Sequence, residues 1–171
     1  MTHEHQETHD AVLISLRRII RAIDLRSKNL AQHHGLTVPQ LVVLQEVNRL
    51  GEVSAGQLAK NVSLSNATVT GILDRLAKRE LVDRRRSGND KRRVLVKLTG
   101  KGAEMLSKAP LLLQDRFVSE FSKLADWEQN LILSSLQRVA HMMEAKDLDA
   151  APLLVSGEIS GTTEAQKDLL L

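Results

Sequence analysis

The sequence predicts a mainly α-helical protein that carries one small β-hairpin. In several segments apolar residues recur at i, i+3, i+4 and i+7, the spacing of one buried helix face. Two short runs of strand-forming residues flank the loop at 87–90, which is typical of a hairpin. Only two Phe and one Trp occur in 171 residues, although 42% of the residues are hydrophobic. We therefore expect a core of Leu, Ile, Val and Ala, as in helical proteins.

The first helix is predicted over residues 11–33, where apolar residues form one broad face. Gly35 ends this helix, and His33 and His34 are interpreted as C-terminal capping residues. Residues 1–10 are polar and are expected to be disordered. They include three histidines, His3, His5 and His9. A metal site on these histidines is the alternative, but their spacing alone fixes no coordination geometry.

Two capped helices are predicted next. Thr37 with Gln40 forms a capping box, and Pro39 lies in the first turn, where a missing N–H costs little. This helix is expected to run to residue 51. Ser54 with Gln57 repeats the capping-box pattern and begins a short helix. Residues 52–54 are expected to add a small strand to the hairpin.

The helix at 65–80 carries the functional prediction. Four residues form its buried face: Val69, Ile72, Leu73 and Leu76. Four others are expected to point outward: Ser65, Asn66, Thr68 and Thr70. This outward face is short, uncharged and polar, which suits contact with base edges in a DNA groove.

The hairpin is predicted to follow with strands at Leu81–Arg86 and Arg93–Leu98. Thr99 is expected to cap a long helix that is either kinked or restarted at Pro110 and continues to residue 124. A final helix is expected to begin with Asp126 and Gln129 as its capping pair. The tail after residue 145 is rich in small residues and is expected to be loosely ordered.

Positive charge is concentrated in the segment from Ser54 to Thr99. This segment contains eleven Lys or Arg and four Asp or Glu, a net charge of +7, whereas the whole chain carries +3 and the remainder therefore −4. A basic segment beside a polar helix indicates phosphate binding, because cations near phosphates displace condensed counterions. The alternative is a solvated basic hairpin.

Several functional classes are excluded or disfavoured. The absence of cysteine excludes disulfides, thiolate metal sites and cysteine redox sensing. No apolar run approaches the roughly 20 residues of a membrane span, and the polar start is not a signal peptide. No phosphate-binding glycine loop, metalloprotease helix or nucleophile signature occurs. We expect a cytoplasmic protein that is not an enzyme and has no membrane partner, cofactor or metal.

The stretches LSNATVTGILDRLAKRELV and NDKRRVLVKLT resemble the recognition helix and the wing of MarR-type winged helix-turn-helix transcriptional regulators. The wing signature of that family, Asp, any residue and Arg before a Val-rich strand, is Asp90, Lys91 and Arg92 here. The resemblance covers about Val12 to Met143. It departs from the family at Glu80, where Gly is usual. A left-handed backbone there would be slightly strained.

The resemblance implies a winged helix-turn-helix at 37–99. It places dimerisation helices at 11–36 and 100–145, between the N-terminal residues 1–10 and the tail 146–171. The apolar faces of the terminal helices also exceed what a small winged domain can cover, which favours a homodimer over a self-contained monomer core. Seven residues are predicted to lie in the dimer interface: Leu13, Leu16, Ile20, Leu113, Phe117, Leu131 and Leu136.

Ten residues are predicted to contact double-stranded DNA. Ser65, Asn66, Thr68 and Thr70 are expected to approach bases; Lys91, Arg92 and Arg93 to hold the wing; and Lys60, Arg84 and Arg85 to contact phosphates. The resemblance further implies that Arg92 reaches the minor groove and pairs with Asp74. Asp74 and Asp90 are therefore expected to stabilise the wing.

The predicted function is a homodimeric repressor that occupies a pseudo-palindromic promoter site. The resemblance implies that members of that family commonly release DNA when a small molecule binds between the dimerisation layer and the winged domain. Without cysteine, three alternatives stay open for this chain: a small-molecule effector, a metal or no effector. The segments LRRIIRAIDLRSK and LDAAPLL resemble the branch associated with ectoine and other compatible-solute genes, which implies a role in osmotic stress. The alternatives are a metal-responsive regulator that uses the histidines and a winged-helix module that binds protein.

Overall fold

The computed structural model describes residues 3–86, 94–148 and 153–155. In chain order the elements are α1 (His3–His34), α2 (Val38–Leu50), β1 (Val53–Ser54), α3 (Ala55–Asn61), α4 (Asn66–Lys78), β2 (Val82–Arg86), β3 (Val94–Leu98), α5 (Gly100–Lys108), α6 (Leu113–Phe121) and α7 (Asp126–Met142). The predicted fold class, mainly α with a small β-wing, is confirmed. Helices α1 to α5 and the sheet belong to one compact unit, and Leu111–Leu154, with α6 and α7, forms a second.

Helix α1 begins earlier than the apolar pattern indicates. It extends back to His3, so the prediction of disorder is wrong for residues 3–10. Neither Pro nor Gly interrupts residues 3–34, so the helix set up by the later apolar turns can propagate backwards through polar residues. Its end is as predicted: Gly35 has φ +61° and donates its N–H to the Ala31 carbonyl at 3.0 Å.

The predicted caps of the next two helices are present. The Thr37 N–H donates to Gln40 Oε1 at 2.9 Å, the reciprocal half of a capping box. The Ser54 hydroxyl accepts from the Gln57 N–H at 3.3 Å. Gly51, after α2, donates to the Val47 carbonyl at 2.9 Å with φ +75°.

The three strands form an antiparallel sheet in the order β1-β3-β2. In the central strand Val96 pairs with Val53 on one side and with Arg84 on the other, and its side chain is fully buried. The predicted third strand at 52–54 is therefore confirmed in β1. The predicted hairpin strands are confirmed at Val82–Arg86 and Val94–Leu98, while residues 87–93 lie outside the described residues.

The core of the first unit is aliphatic, as the composition predicts. Its fully buried side chains come from α2 and the residues just before it, α3, α4 and the sheet region: Leu36, Leu41, Val43, Leu44, Val47, Leu58, Val69, Leu73, Leu76, Leu81 and Val96. Helix α2 packs against α3, α4, α5 and β3, so it is the central element of this unit. None of the helices within the described ranges is long and apolar enough to cross a membrane.

A tight turn at Glu80 joins α4 to the sheet. Glu80 has φ +60°, its N–H donates to the Ala77 carbonyl at 2.9 Å, and the Leu81 N–H donates to the Leu76 carbonyl at 3.0 Å. These two bonds define a Schellman motif, and buried Leu76 and Leu81 supply its apolar contact. The left-handed conformation that the resemblance implied at Glu80 is thus present without Gly.

The start of α5 contacts the same turn. The Thr99 hydroxyl lies 2.7 Å from the Glu80 carbonyl oxygen and accepts from the Gly102 N–H at 2.9 Å. Lys101 Nζ lies 3.0 Å from Glu80 Oε2. A Cβ atom at Gly102 would lie 2.1 Å from the Leu81 carbonyl oxygen, so only glycine permits this approach. Helix α5 therefore packs within the winged unit.

In the second unit the chain restarts after Pro110, the second of the two predicted alternatives. Helix α6 begins at Leu113, and the rings of Phe117 and Phe121 stack with centroids 5.2 Å apart. Helix α7 carries exposed apolar residues along its length. Most of the predicted tail, at 149–152 and 156–171, lies outside the described residues.

The cap of α7 differs from the prediction by one residue. Ala125 is the N-cap, and its N–H donates to Glu128 Oε2 at 2.9 Å. The predicted capping pair of Asp126 and Gln129 is therefore wrong. A carboxylate at the third helical position can reach back to the cap N–H even when the cap residue itself has no polar side chain.

Gly102→Ala is expected to destabilise the protein, because a methyl group would collide with the Leu81 backbone. Overpacking of this kind costs about 1–3 kcal/mol, which would outweigh the higher helix propensity of alanine. The matched control is Gly100→Ala, where a Cβ atom meets nothing within 4 Å. Urea unfolding should show a lower midpoint for Gly102→Ala alone. Equal midpoints for both variants would contradict the close approach.

Candidate nucleic-acid interface

Helices α3 and α4 form a helix-turn-helix whose turn is fixed by backbone hydrogen bonds. Ser63 has φ +54°, and its N–H donates to the Lys60 carbonyl at 3.2 Å. The Leu64 N–H donates to the Ala59 carbonyl at 3.0 Å, which completes a second Schellman motif without Gly. Helix α4 then packs against α2 and α3.

A polar contact also ties α3 to α2. The Asn61 side-chain amide donates to Glu46 Oε1 at 2.7 Å, and Arg49 donates to both oxygens of the same carboxylate at 2.6 and 2.7 Å. Hydrogen bonds from Arg49, and then from Asn61, lower the pKa of Glu46 below its usual value. The carboxylate is therefore ionised at neutral pH and accepts from both helices.

The buried face of α4 is as predicted: Val69, Ile72, Leu73 and Leu76 are all buried. At the N-terminus the Ser65 hydroxyl accepts from the Thr68 N–H at 3.0 Å and lies 2.7 Å from the Thr68 hydroxyl. Ser65 is therefore the N-cap of α4.

Thr68 does not point outward. Its relative exposure is 4%, so the prediction of an outward side chain is wrong at this position. Thr68 is one residue before Val69 and lies at the edge of the apolar face, where its hydroxyl is satisfied by Ser65. Asn66 and Thr70 are exposed as predicted, and the Thr70 hydroxyl donates to the Asn66 carbonyl at 2.8 Å.

The outward face of α4 is longer and more charged than predicted. Asp74, Arg75 and Lys78 are exposed on it, and Gly71 is half-buried. Arg75, Lys78 and Gly71 were not predicted to lie on this face. Helical periodicity places Lys78 four residues after Asp74, and Arg75 four residues after Gly71. The face thus has an uncharged N-terminal half and a charged C-terminal half.

The base of the wing is held by two ion pairs. Arg84 Nη1 donates to Asp74 Oδ1, which joins β2 to α4. Arg85 donates to Glu52 through Nε at 2.7 Å and Nη2 at 2.6 Å, a bidentate contact between β2 and the residue before β1. These hydrogen bonds lower the pKa of Glu52. Both predicted phosphate contacts on this strand therefore already have carboxylate partners.

Several predicted interface residues fall in the hairpin tip. Asp90, Lys91, Arg92 and Arg93 lie outside the described residues. Asp74 is bonded to Arg84. The predicted pairing of Asp74 with Arg92 involves a residue outside the described ones and stays a prediction. Lys60 is exposed on the last turn of α3, and Arg86 and Lys97 are exposed on the strands. These cations, with Arg75 and Lys78, give the helix-turn-helix and sheet a basic surface.

The predicted dimerisation residues lie in both units, some in α1 and the others in α6 and α7. In α1, Leu13 and Ile20 are 40% and 62% exposed, and Leu16 is half-buried. In the second unit Phe117, Leu131 and Leu136 are 47–59% exposed, and Leu113 is half-buried. Each unit therefore presents apolar surface to the outside.

Within the described part of the chain, no group of three or more potential ligands could hold a metal ion. His9 Nδ1 lies 3.2 Å from Asp10. The side chains of His3 and His5 are outside the described residues. His33 lies 3.1 Å from the Asn29 carbonyl through Nδ1, a local backbone contact at the end of α1.

Comparison with known proteins identifies the fold. Residues 36–94 match the MarR family. The uncharacterised HTH-type transcriptional regulator YsmB of Bacillus subtilis (strain 168) is 30% identical over 132 residues, which cover 77% of this chain and 90% of YsmB. This chain belongs to the MarR family.

Two solved structures of transcriptional regulators extend the comparison. A cysteine-to-serine mutant of MarR from E. coli, in complex with operator DNA, is 29% identical with a TM-score of 0.50 and covers 74% of this chain and 94% of its own. PcaV from Streptomyces coelicolor, in complex with its natural ligand, is 25% identical with a TM-score of 0.55 and covers 75% and 90%.

Membership of the MarR family makes the protein a DNA-binding transcriptional regulator. The predicted winged helix-turn-helix is confirmed, and so is the prediction that the protein is not an enzyme, because proteins of this family regulate transcription.

Proposed function

We propose that the protein is a homodimeric repressor that occupies a pseudo-palindromic promoter site. The observation that carries the proposal is the division of α4 into two faces. One face is anchored by four buried aliphatic residues, and the other leaves Asn66, Thr70, Arg75 and Lys78 exposed. Amides and hydroxyls suit base edges, and cations suit phosphates.

Binding to a promoter as a dimer accounts for the apolar surfaces of the two units. Exposed apolar patches of this kind mark interaction sites in soluble proteins. Two identical chains related by a twofold axis would present two α4 helices to half-sites one turn apart. A dimer bound in this way would repress transcription because it occupies the promoter.

Release by a small molecule is also part of the proposal. It is supported by the ligand complex of PcaV, a relative of similar fold. The protein has no cysteine, so an effector that acts by oxidising a thiol is excluded. Control of ectoine or other osmoprotectant genes rests only on the resemblance of two segments and stays a prediction.

The DNA-binding proposal is tested by selecting sequences from a random duplex library with the purified protein. The affinity for a selected duplex should fall steeply with salt concentration. Lys78→Gln should lower the slope of log K against log salt by about one unit. Lys123→Gln, the same change on the second unit, should leave the slope unchanged.

Failure to enrich any duplex, or salt-independent binding, would instead support the protein-interaction alternative. Loss of DNA binding on chelation would support the metal-responsive one.

Gly71 gives a sharper test of how α4 meets DNA. It lies in a helix interior with an ordinary helical φ, and a Cβ atom there would meet nothing within 4 Å. The fold therefore has no need of glycine, which costs about 1 kcal/mol relative to alanine in a helix. A close approach of DNA to this position would explain its presence.

We expect Gly71→Ala to raise the unfolding free energy by about 1 kcal/mol and to weaken operator binding about tenfold, as one mismatched base pair does. The salt slope should stay unchanged, because no charge is altered. Gly100→Ala, also in open space, should bind DNA like the wild type. Fluorescence anisotropy and urea unfolding measure both effects. Binding by Gly71→Ala as tight as the wild type would contradict a close approach.

The homodimer is tested by placing charge on exposed apolar residues. Ile20→Glu in α1 and Leu131→Glu in α7 should convert the dimer to monomer, because an interface would bury an unpaired carboxylate. Leu111→Glu, at a residue that is 77% exposed and outside the predicted interface, should remain dimeric. Sedimentation velocity distinguishes the states, and circular dichroism checks helix content. A wild-type monomer, or dimers in all three variants, would overturn this arrangement.

A further inference from the structure

One arginine joins the ends of two helices that are far apart in sequence. Arg79 is the first residue after α4, and its Nη1 donates to the carbonyl oxygen of Gly35, 44 residues earlier. Gly35 is the first residue after α1. The side chain therefore links the end of the helix that faces DNA in the proposed complex to the end of the long N-terminal helix.

The guanidinium group of Arg79 lies close to the Gly35 backbone. Its φ of +61° favours glycine, and a Cβ atom there would lie 3.2 Å from Arg79 Nη2. Gly51 offers a comparison within the same chain. Its φ is +75°, but a Cβ atom would meet nothing within 4 Å. A methyl group at Gly35 would therefore displace the Arg79 guanidinium group by a few tenths of an ångström, whereas a methyl group at Gly51 would displace nothing.

Helix α1 is anchored in the first unit near its C-terminal end. Its residues from Val12 to Leu25 include six large apolar side chains that are 40–62% exposed, whereas Leu30 is buried and Leu36, just beyond the helix, is fully buried. The direction of α1 is therefore set within a few residues around Gly35. Arg79 contacts the chain at this point.

A small rotation at this point has a large effect further along α1. Ile20 lies 15 residues from Gly35, a distance of about 22 Å along a helix that rises 1.5 Å per residue. A rotation of about 10° would move it by about 4 Å, close to the rise of one base pair, since ten base pairs span roughly 34 Å. If the dimer interface lies on α1, this shift would change the separation between the α4 helices of the two subunits.

We propose that Arg79 is a positioning residue that fixes the direction of α1 relative to α4 and so sets the half-site spacing that the dimer accepts. The inference rests on the proposed homodimeric DNA-binding function. In this role Arg79 touches no DNA. It acts through the angle between the helix that pairs the subunits and the helix that meets the operator.

The test uses a selected operator whose two half-sites are moved apart or together one base pair at a time, and a duplex with a single half-site. The wild-type dimer should prefer one spacing by about tenfold or more, because other spacings prevent simultaneous engagement of both half-sites. Arg79→Met removes the donors and should reduce this preference to about twofold. Its affinity for the single half-site and its salt slope should equal those of the wild type.

Three further variants separate positioning from other roles. Arg79→Lys keeps a charge and a donor and should restore part of the spacing preference. Gly35→Ala should broaden the preference as Arg79→Met does. Gly51→Ala also substitutes a glycine of positive φ, but its methyl group lies in open space, so this variant should keep the preference. Melting temperatures of all four variants show which are folded. If Arg79→Met does not fold, the comparison of Gly35→Ala with Gly51→Ala tests the role of Arg79 instead.

Three results would overturn the inference. The first is an unchanged spacing preference in Arg79→Met or, where that variant is unfolded, in Gly35→Ala. The second is weaker binding of Arg79→Met to the single half-site together with a salt slope lowered by about one unit, which would make Arg79 a phosphate contact. The third is equal broadening in Gly35→Ala and Gly51→Ala. Failure of the proposed function has a different signature, since the wild type itself would then bind no duplex or show no preferred spacing.

Discussion

The burial of one aliphatic face of α4 is the constraint on which the rest of the first unit depends. Val69, Ile72, Leu73 and Leu76 are removed from water against α2 and α3, and each such side chain contributes about 1.5–3 kcal/mol. This burial fixes the rotation of α4 about its own axis. Because the buried face is fixed, the opposite face is fixed too, and its amide, hydroxyl and basic side chains point away from the core.

The ends of the helices are held by turns that usually contain glycine. Ser63, Glu80 and Glu144 all have positive φ, and each follows a helix in a Schellman motif. A non-glycine residue there costs roughly 1 kcal/mol. At Glu80 local contacts offset that strain, since Thr99 donates to its carbonyl oxygen and Lys101 lies beside its carboxylate. The turn places the Leu81 carbonyl against Gly102 and so couples α4, β2 and α5.

The charges of the winged unit have two different roles. Arg84 bonds the Asp74 carboxylate and so attaches β2 to α4, and Arg85 bonds the carboxylate of Glu52, the residue before β1. Exposed pairs of this kind add little to stability, with a median near 0–1 kcal/mol, but they orient the strands that lead to the hairpin tip. Lys60, Arg75, Lys78 and Arg86 remain exposed to solvent. The net charge of the sequence segment therefore overstates the number of cations open to phosphate.

The sequence by itself determined most of the helices, the N-terminal caps at Thr37, Ser54 and Thr99, and the buried face of α4, because periodicity and capping are local. Its motifs also indicated the family. It could not place Thr68, which lies at the edge of the apolar face and is buried only through packing and its bond to Ser65. Only the tertiary structure decided the partners of Asp74, Arg85 and Arg79. These contacts join residues 10, 33 and 44 positions apart, and no local pattern specifies which distant groups the folded chain brings together.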